Sequence, residues 1–493
     1  MALTTFHQIF FRRLSNNGST FIQGLYWILI ALAGRTFYYL LELHFMGQVG
    51  APKGVLGIYY DDSYFAPIRN LIHNGAYTPD ERMPGLGIIY LPMALLFSTV
   101  TSLNILIWLQ VLFSSLSLYY LAITARCMFK NDFMFYAVFY IFLLSPFTAI
   151  SDSSPISESF CTSFLIFSVY HFQTALQKRK KVYFILSGVE LTWTSFMRPA
   201  HFPLLMIFTI LLIVYLLRNK VKPLLYVVLF LTPFFVGEGV WMVRNWIRYH
   251  KILPTLNSIY LSSCKDTYRF PIWQLERSWG LENWSIDWLI QKDNADISKE
   301  NVGLPYIVYT SQYNADSMRA FKKFLNRVII RYAYNYNGEA IYVDSVNNDN
   351  YTIIADRCHK YIESLKKEKP FQYYFVSRYR MAKDYLKLSI FGNFQEPYMK
   401  FFGTIMYYFV IVTGFAGIVL MAKYCRRFSP ESLFAFIPLY SIFIHPVVLR
   451  LAQNRYFIPS YPFLVVCAAY LLYLLYCKAV SKSLFIAAKQ YKR

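Results

Sequence analysis

Long apolar blocks separated by short polar segments run through most of the chain. They fall at about 21–46, 103–126, 133–150, 155–176, 182–197, 201–217, 222–242, 401–422, 430–449 and 456–477. Most are of the length, roughly 17 to 25 residues, that a helix needs to cross a bilayer. An eleventh apolar run, PGLGIIYLPMALLFSTV over 84–100, is broken by Pro84, Gly85, Gly87 and Pro92. Short interrupted runs of this kind fit an interfacial or re-entrant element better than a full span. The period also changes in the wetter stretch before it. Phe65, Ile68 and Ile72 recur at spacings of three and four, with Arg69, Asn70, His73 and Asn74 on the other face. This pattern predicts an amphipathic helix lying on the membrane surface, with Pro67 in its first turn and Gly75 as its stop. Between the seventh and eighth blocks, 243–400 is polar and rich in Tyr, Asn and Lys, with helix-like stretches near 314–331 and 351–368. It is long enough to form a small domain of its own.

Composition supports the pattern. The 493 residues are 56% hydrophobic, 19% aromatic and 15% charged, where a soluble domain carries about a quarter charged residues. The fold class expected is an all-α polytopic membrane protein. The first apolar run is long, contains Arg35 and Glu42 and lacks a small-residue cleavage site, so the N-terminus does not read as a signal peptide. A net charge of +22 would suit nucleic acid, but the basic residues cluster between apolar blocks: Arg12-Arg13, QKRKK (177–181), RNKVK (218–222), KYCRR (423–427) and the terminal KQYKR. That is the positive-inside pattern, with anionic lipid headgroups as counter-charge, and no nucleic-acid module accompanies it. Placing these clusters in the cytoplasm requires 84–100 not to cross. Ten spans follow, with both termini inside and 47–102 and 243–400 outside. The chain then divides into an N-terminal transmembrane module 1–250 containing the first external loop 47–102, an external segment 251–400, and C-terminal transmembrane helices 401–493. The seven cysteines form no C-x-x-C pair, which argues against structural zinc. Cys264 and Cys358 share the polar segment, and only that shared compartment speaks for a disulfide between them.

Candidate chemistry gathers on the expected external side. Asp61 and Asp62 precede the amphipathic helix, where a carboxylate caps free N–H groups and meets the positive end of the helix dipole. A carboxylate held there could also act as general base toward an acceptor hydroxyl, a contribution of about 10²–10⁴-fold. Adjacent helical residues point about 100° apart, so one aspartate would be the base and the other would cap, orient the site or hold a cation. Arg82, Arg198, Arg244 and Arg455 lie near external span ends in RMPG, MRPA, WMVRNW and QNRYFIP. Singly each could snorkel to the interface; together they would suit a lipid phosphate, which arginine holds bidentately. Glu158, in SDSSPISESF, opens a span on the same side, as a helix-start carboxylate or a supporting acid.

These residues resemble the GT-C superfamily of polyprenyl-phosphate-sugar-dependent glycosyltransferases, in particular the branch with protein O-mannosyltransferases and lipid A aminoarabinose transferases. Asp61, Phe65 and Ala66 match that family's first-loop spacing, with Asp62 on its frequent acidic neighbour. Arg82-Met83-Pro84-Gly85 resembles the family's Arg/Lys-Pro-Pro-Gly turn without its first proline. Ser157-Glu158, Arg198-Pro199, Trp241 through Asn245, and Arg455-Tyr456 with Pro459 and Pro462 are similar to the later motifs in order and spacing. Proline is missing before Trp241, Gln453 replaces a common acidic or histidine residue, and 251–400 aligns with nothing.

The resemblance implies an inverting transferase using a polyprenyl-phosphate-linked sugar donor presented from the membrane. Asp61 would be the catalytic base, with Asp62 and Glu158 as supporting acids. Arg82, Arg198, Arg244 and Arg455 would bind the donor phosphate. The acceptor would be a glycolipid, a polysaccharide or a protein hydroxyl, and the location a bacterial inner membrane with the site facing the periplasm. No cofactor is expected. A divalent metal on Asp62, Asp152 and Glu158, as in oligosaccharyltransferases, is the less favoured variant. Two other classes remain open: a transporter or flippase, for which Arg35 and Glu42, two turns apart on one face of the first span and able to pair with each other, are the candidate intramembrane charges, and an O-antigen-type polymerase or ligase.

Overall fold

A computed structural model describes residues 20–46, 53–58, 60–75, 77, 83–250, 252, 254, 269–280, 308–336, 339–388, 397–425 and 429–490. Each expected apolar block contains helix: Thr20–Met46, Thr99–Phe129, Asp132–Leu144, Ser157–Lys178, Lys181–Met197, Phe202–Arg218, Leu224–Tyr249, Pro397–Tyr424, Leu433–Ile442 continuing as a π-helical Phe443–Leu449, and Tyr461–Gln490. Local chemistry sets several ends. Ser98 and Asn131 cap the second and third helices by accepting from Thr101 N–H and Phe133 N–H at 3.3 and 2.8 Å. Among the described residues, 7 helices are long and apolar enough to cross a membrane: Ile22–Phe45, Thr99–Phe129, Pro199–Arg218, Leu224–Ile247, Lys400–Tyr424, Pro430–Leu449 and Tyr461–Ala479. The chain is therefore a helical polytopic membrane protein. Asp132–Leu144 has 13 residues and reaches about 20 Å, short of the roughly 30 Å hydrocarbon core. The run 84–100 yields a short apolar helix, Gly85–Leu96, with Pro92 inside it.

The chain forms two compact units. The first comprises Met1–Arg244, Ser389–Tyr440 and Ile458–Arg493; the second, Asn245–Leu388 and Ser441–Phe457. Residues 441–457 thus belong with the polar segment in the second unit, and the last helix belongs with the N-terminal bundle in the first.

In the first unit the apolar surface faces outward: Leu40, Leu96 and Val240 are exposed, while Arg35, Asp152 and Glu158 are buried. The amphipathic helix forms as Ala66–Asn74, with Pro67 in its first turn and Gly75 at φ 66° as a left-handed cap. Its apolar face is not left to lipid. Phe65 and Ile68 are buried in a cluster with Leu86, Tyr90, Leu103, Ile107 and Phe160, and Ile72 packs against its edge.

The second unit has an ordinary apolar core. Met318, Phe321 and Leu325 from Ala315–Val328 meet Ile354, Cys358, Tyr361 and Leu365 from Asn348–Glu368, with Ile272, Leu275 and Trp279 from Arg269–Trp279. These spacings of three and four are those of core-facing helix stripes. An antiparallel hairpin, Ile330–Tyr336 with Glu339–Ser345, pairs Ile330 with Ser345 and Tyr336 with Glu339. Cys358 is a free thiol inside this core, and burial pushes it well above the usual thiol range. Cys264 lies outside the described residues.

Candidate functional site

The site is built in the first unit where the first loop meets the segment 151–159. That segment, SDSSPISES, is buried throughout. A polar stretch so placed must find partners within the protein. Gln110, buried on the second long helix, donates to the carbonyls of Ser151, Ser154 and Ile156 at 3.3, 3.0 and 3.1 Å. The first loop is stitched to the same segment, with Ile58 N–H donating to Ser153 O at 3.0 Å.

The two aspartates separate. Asp61 caps the short 3-10 turn Asp62–Tyr64: its Oδ1 accepts from Ser63 N–H at 3.1 Å and Ser63 Oγ at 2.6 Å. Asp62 turns the other way, into a bidentate pair with Arg69 Nη2 at 2.6 Å to each oxygen, and also accepts from Tyr60 Oη. Tyr60 stacks on Phe65 at 5.5 Å, and burial together with the Asp62 bond pushes its phenol well above the ordinary range. Arg69 was read only as part of the polar face; it is the residue that holds Asp62.

The turn headed by Asp61 leads to a second carboxylate. Tyr64 Oη lies 3.1 Å from Ser157 Oγ, and Ser157 donates to Glu158 Oε2 at 3.4 Å. Glu158, fully buried in the first turn of Ser157–Lys178, forms an ion pair with Arg198, which closes the C-terminus of Lys181–Met197. Two residues named separately from the sequence are thus direct partners.

Helix Gly85–Leu96 packs over this junction through its glycines. A Cβ on Gly85 would meet Met197 N and Phe196 C and O at 2.7 Å, so the helix start is pressed against the last turn of Lys181–Met197, which delivers Arg198. A Cβ on Gly87 would meet Ile68 Cδ1 at 3.0 Å and Tyr77 Oη at 3.6 Å. Tyr77 in turn carries Arg244, whose guanidinium lies 5.6 Å from its ring centroid and 5.0 Å from that of Trp241, with Nη2 donating to Tyr77 O at 2.5 Å. Burial raises the Tyr77 phenol to about 12 against the opposing pull of Arg244. Gly85, two residues beyond Met83 in the RMPG turn, is described; Arg82 itself lies outside the described residues. Arg455 belongs to the second unit, where its Nε donates to Gln453 Oε1 at 2.8 Å and it covers the Tyr456 ring at 5.3 Å. Among the described arginines of that set, Arg198 pairs with Glu158, Arg244 lies on Tyr77 and Trp241, and Arg455 donates to Gln453.

Beneath the site is a lock that the sequence pattern left open. Arg35 does not take Glu42 as its partner. It donates to Thr148 Oγ1 at 3.1 Å and approaches Asp152 Oδ2 at 3.6 Å, while Ser153 Oγ donates to Glu42 Oε2 at 2.5 Å. Ser159 Oγ donates to Asp152 Oδ1 at 2.5 Å. Burial raises the Asp152 carboxyl to about 6, with Arg35 and the serine bonds pulling it back. The available signal was the density of Ser and Asp at a helix boundary; partner choice was not readable from it. Asp62, Asp152 and Glu158 each have different cationic partners, and among the described residues no group of three or more His, Cys, Asp or Glu is placed to hold a metal ion.

In comparisons with known proteins, no family model matches the chain, and no curated protein matches it.

Proposed function

We propose that the chain is an integral-membrane inverting glycosyltransferase of the GT-C type, moving a sugar from a polyprenyl-phosphate donor to an acceptor hydroxyl. The observation that carries this reading is the linkage of Asp61, through its turn and the Tyr64–Ser157 contact, to the buried Glu158–Arg198 pair. Motif residues nearly a hundred positions apart converge on one polar junction in an apolar bundle. In the reaction, Asp61 takes the proton of the acceptor hydroxyl as its oxygen bonds the anomeric carbon. The bond from that carbon to the phosphate oxygen breaks, and polyprenyl phosphate leaves with the electron pair. Attack opposite the leaving group inverts the anomeric centre. Arg82, Arg198, Arg244 and Arg455 would neutralise the departing phosphate, with Asp62 and Glu158 in support. In this reading Asp132–Leu144, Ser157–Lys178 and Lys181–Met197 complete ten spans, and the site faces the periplasm of a bacterial inner membrane.

The test is reconstitution with radiolabelled polyprenyl-phosphate sugars. Asn keeps the capping oxygen at position 61 but removes the base, so Asp61→Asn should lower transfer by about 10²–10⁴-fold with folding intact. Near-normal turnover in that variant rejects the assignment. A lipid-linked-saccharide flippase is the second reading, favoured by the buried Arg35, Glu42 and Asp152 charges. It predicts donor movement across vesicles without sugar transfer.

A further inference from the structure

The helical segment 370–386 of the second unit has two unlike faces. One is conventional: Gln372, Ser377, Met381 and Tyr385 are buried. The other carries Phe371, Tyr374, Phe375 and Tyr379, which are 69%, 47%, 65% and 70% exposed. Spacings of three and four set these rings on one stripe. In a water-facing helix that stripe would be charged, and contiguous exposed aromatics of this kind mark an interaction surface. Lys383 and Lys387 are exposed at its C-terminal end.

A second observation fixes the level at which the stripe sits. Arg378 Nε donates to Val447 O at 3.1 Å. Val447 lies in the final turn of the candidate span Pro430–Leu449, whose last residues Val448 and Leu449 are also exposed. The end of a span is where hydrocarbon gives way to headgroups, so the helix is tied to that depth. Arg378 and Arg450 both cover the Tyr373 ring, at 5.8 and 4.0 Å, and donate to backbone carbonyls, Arg378 to Tyr374 O at 2.9 Å and Arg450 to Tyr373 O at 3.2 Å; among the described residues neither has a carboxylate partner. Exposed Phe and Tyr flanked by exposed lysines and by arginines without acidic partners are the composition of a bilayer interface, where rings sit among headgroups.

We propose that 370–386 is an interfacial anchor, with Phe371, Tyr374, Phe375 and Tyr379 lying in the headgroup layer of a phospholipid bilayer. It holds the second unit down on the membrane independently of the transferase reading. The test uses full-length protein in phosphatidylethanolamine–phosphatidylglycerol vesicles, with nitroxides on Phe375→Cys, Tyr379→Cys and the reference Lys367→Cys. Cys127, Cys264, Cys425 and Cys477 are changed to Ser in each. Collisions with lipid-soluble oxygen, relative to a water-soluble nickel chelate, should be several-fold more frequent at 375 and 379 than at 367. Equal ratios at all three positions overturn the proposal by placing the stripe in water. Protection of 375 and 379 from both reagents also overturns it, because that is the signature of a protein partner.

Discussion

The two units solve the burial problem in opposite ways. The second hides Phe321, Leu325 and Leu365 and, among the described residues, leaves most of its charged side chains at least partly exposed, as a protein in water does. The first leaves Leu96 and Val240 outside and hides Arg35, Asp152, Glu158 and a run of serines. Hydrocarbon demands no apolar core but tolerates no unpaired charge. In the first unit Arg35 with Asp152 and Arg198 with Glu158 are therefore interlocked, and these partners carry the functional information. In the second unit the informative residues are the exceptions on the surface, the aromatic stripe of 370–386.

The contrast can be broken most directly at Glu158. Glu158→Gln leaves Arg198 buried without its carboxylate and should cost about 3–5 kcal/mol, read as thermal unfolding in detergent micelles. Adding Arg198→Met should recover part of that loss. A single variant as stable as the parent would show that the charges are not interlocked. In the second unit, Leu325→Ala removes core volume and should cost about 2–5 kcal/mol. A negligible change there would mean that the apolar core does not hold this unit together.

Gly85→Ala sharpens the picture at the helix crossing. Its Cβ would press on the Phe196 and Met197 backbone, so about 1–3 kcal/mol of stability should be lost, along with part of any transfer activity. The same change at Gly239, where an added Cβ meets nothing within 4 Å, should be far milder. Equal effects would show that the backbone crossing at Gly85 is no tighter than the open position at Gly239.

The smallest effect concerns pH. The folded-state value of Asp152, about 6, lies above its ordinary value of 3.8. The folded chain thus holds this proton more tightly. The associated stability is complete below about pH 4 and is lost as pH rises through about 6. Asp152→Asn should flatten the unfolding-temperature profile across that window, whatever it does to the absolute value. An unchanged slope would assign the titration elsewhere.

Much of this was legible along the chain. Block lengths marked where helices form, and the spacing of Phe65, Ile68 and Ile72 with Pro67 and Gly75 gave Ala66–Asn74 its limits. The stripes in Ala315–Val328 and Asn348–Glu368 were visible for the same reason: helical periodicity is a local property, repeated every few residues. Pairing is not local. The sequence placed Arg35 near Glu42 and offered them to each other, but packing of the first helix on 146–153 gave Arg35 to Asp152 and Glu42 to Ser153. The amphipathic face of Ala66–Asn74 pointed to a membrane surface, yet helix Gly85–Leu96 and its neighbours cover it. Asp61 and Asp62 look alike in sequence, and only the fold sends one to cap its own turn and the other to Arg69. Composition and period determine what a segment must bury. Which group satisfies a buried charge depends on residues a hundred positions away, and those come within reach only when the helices pack.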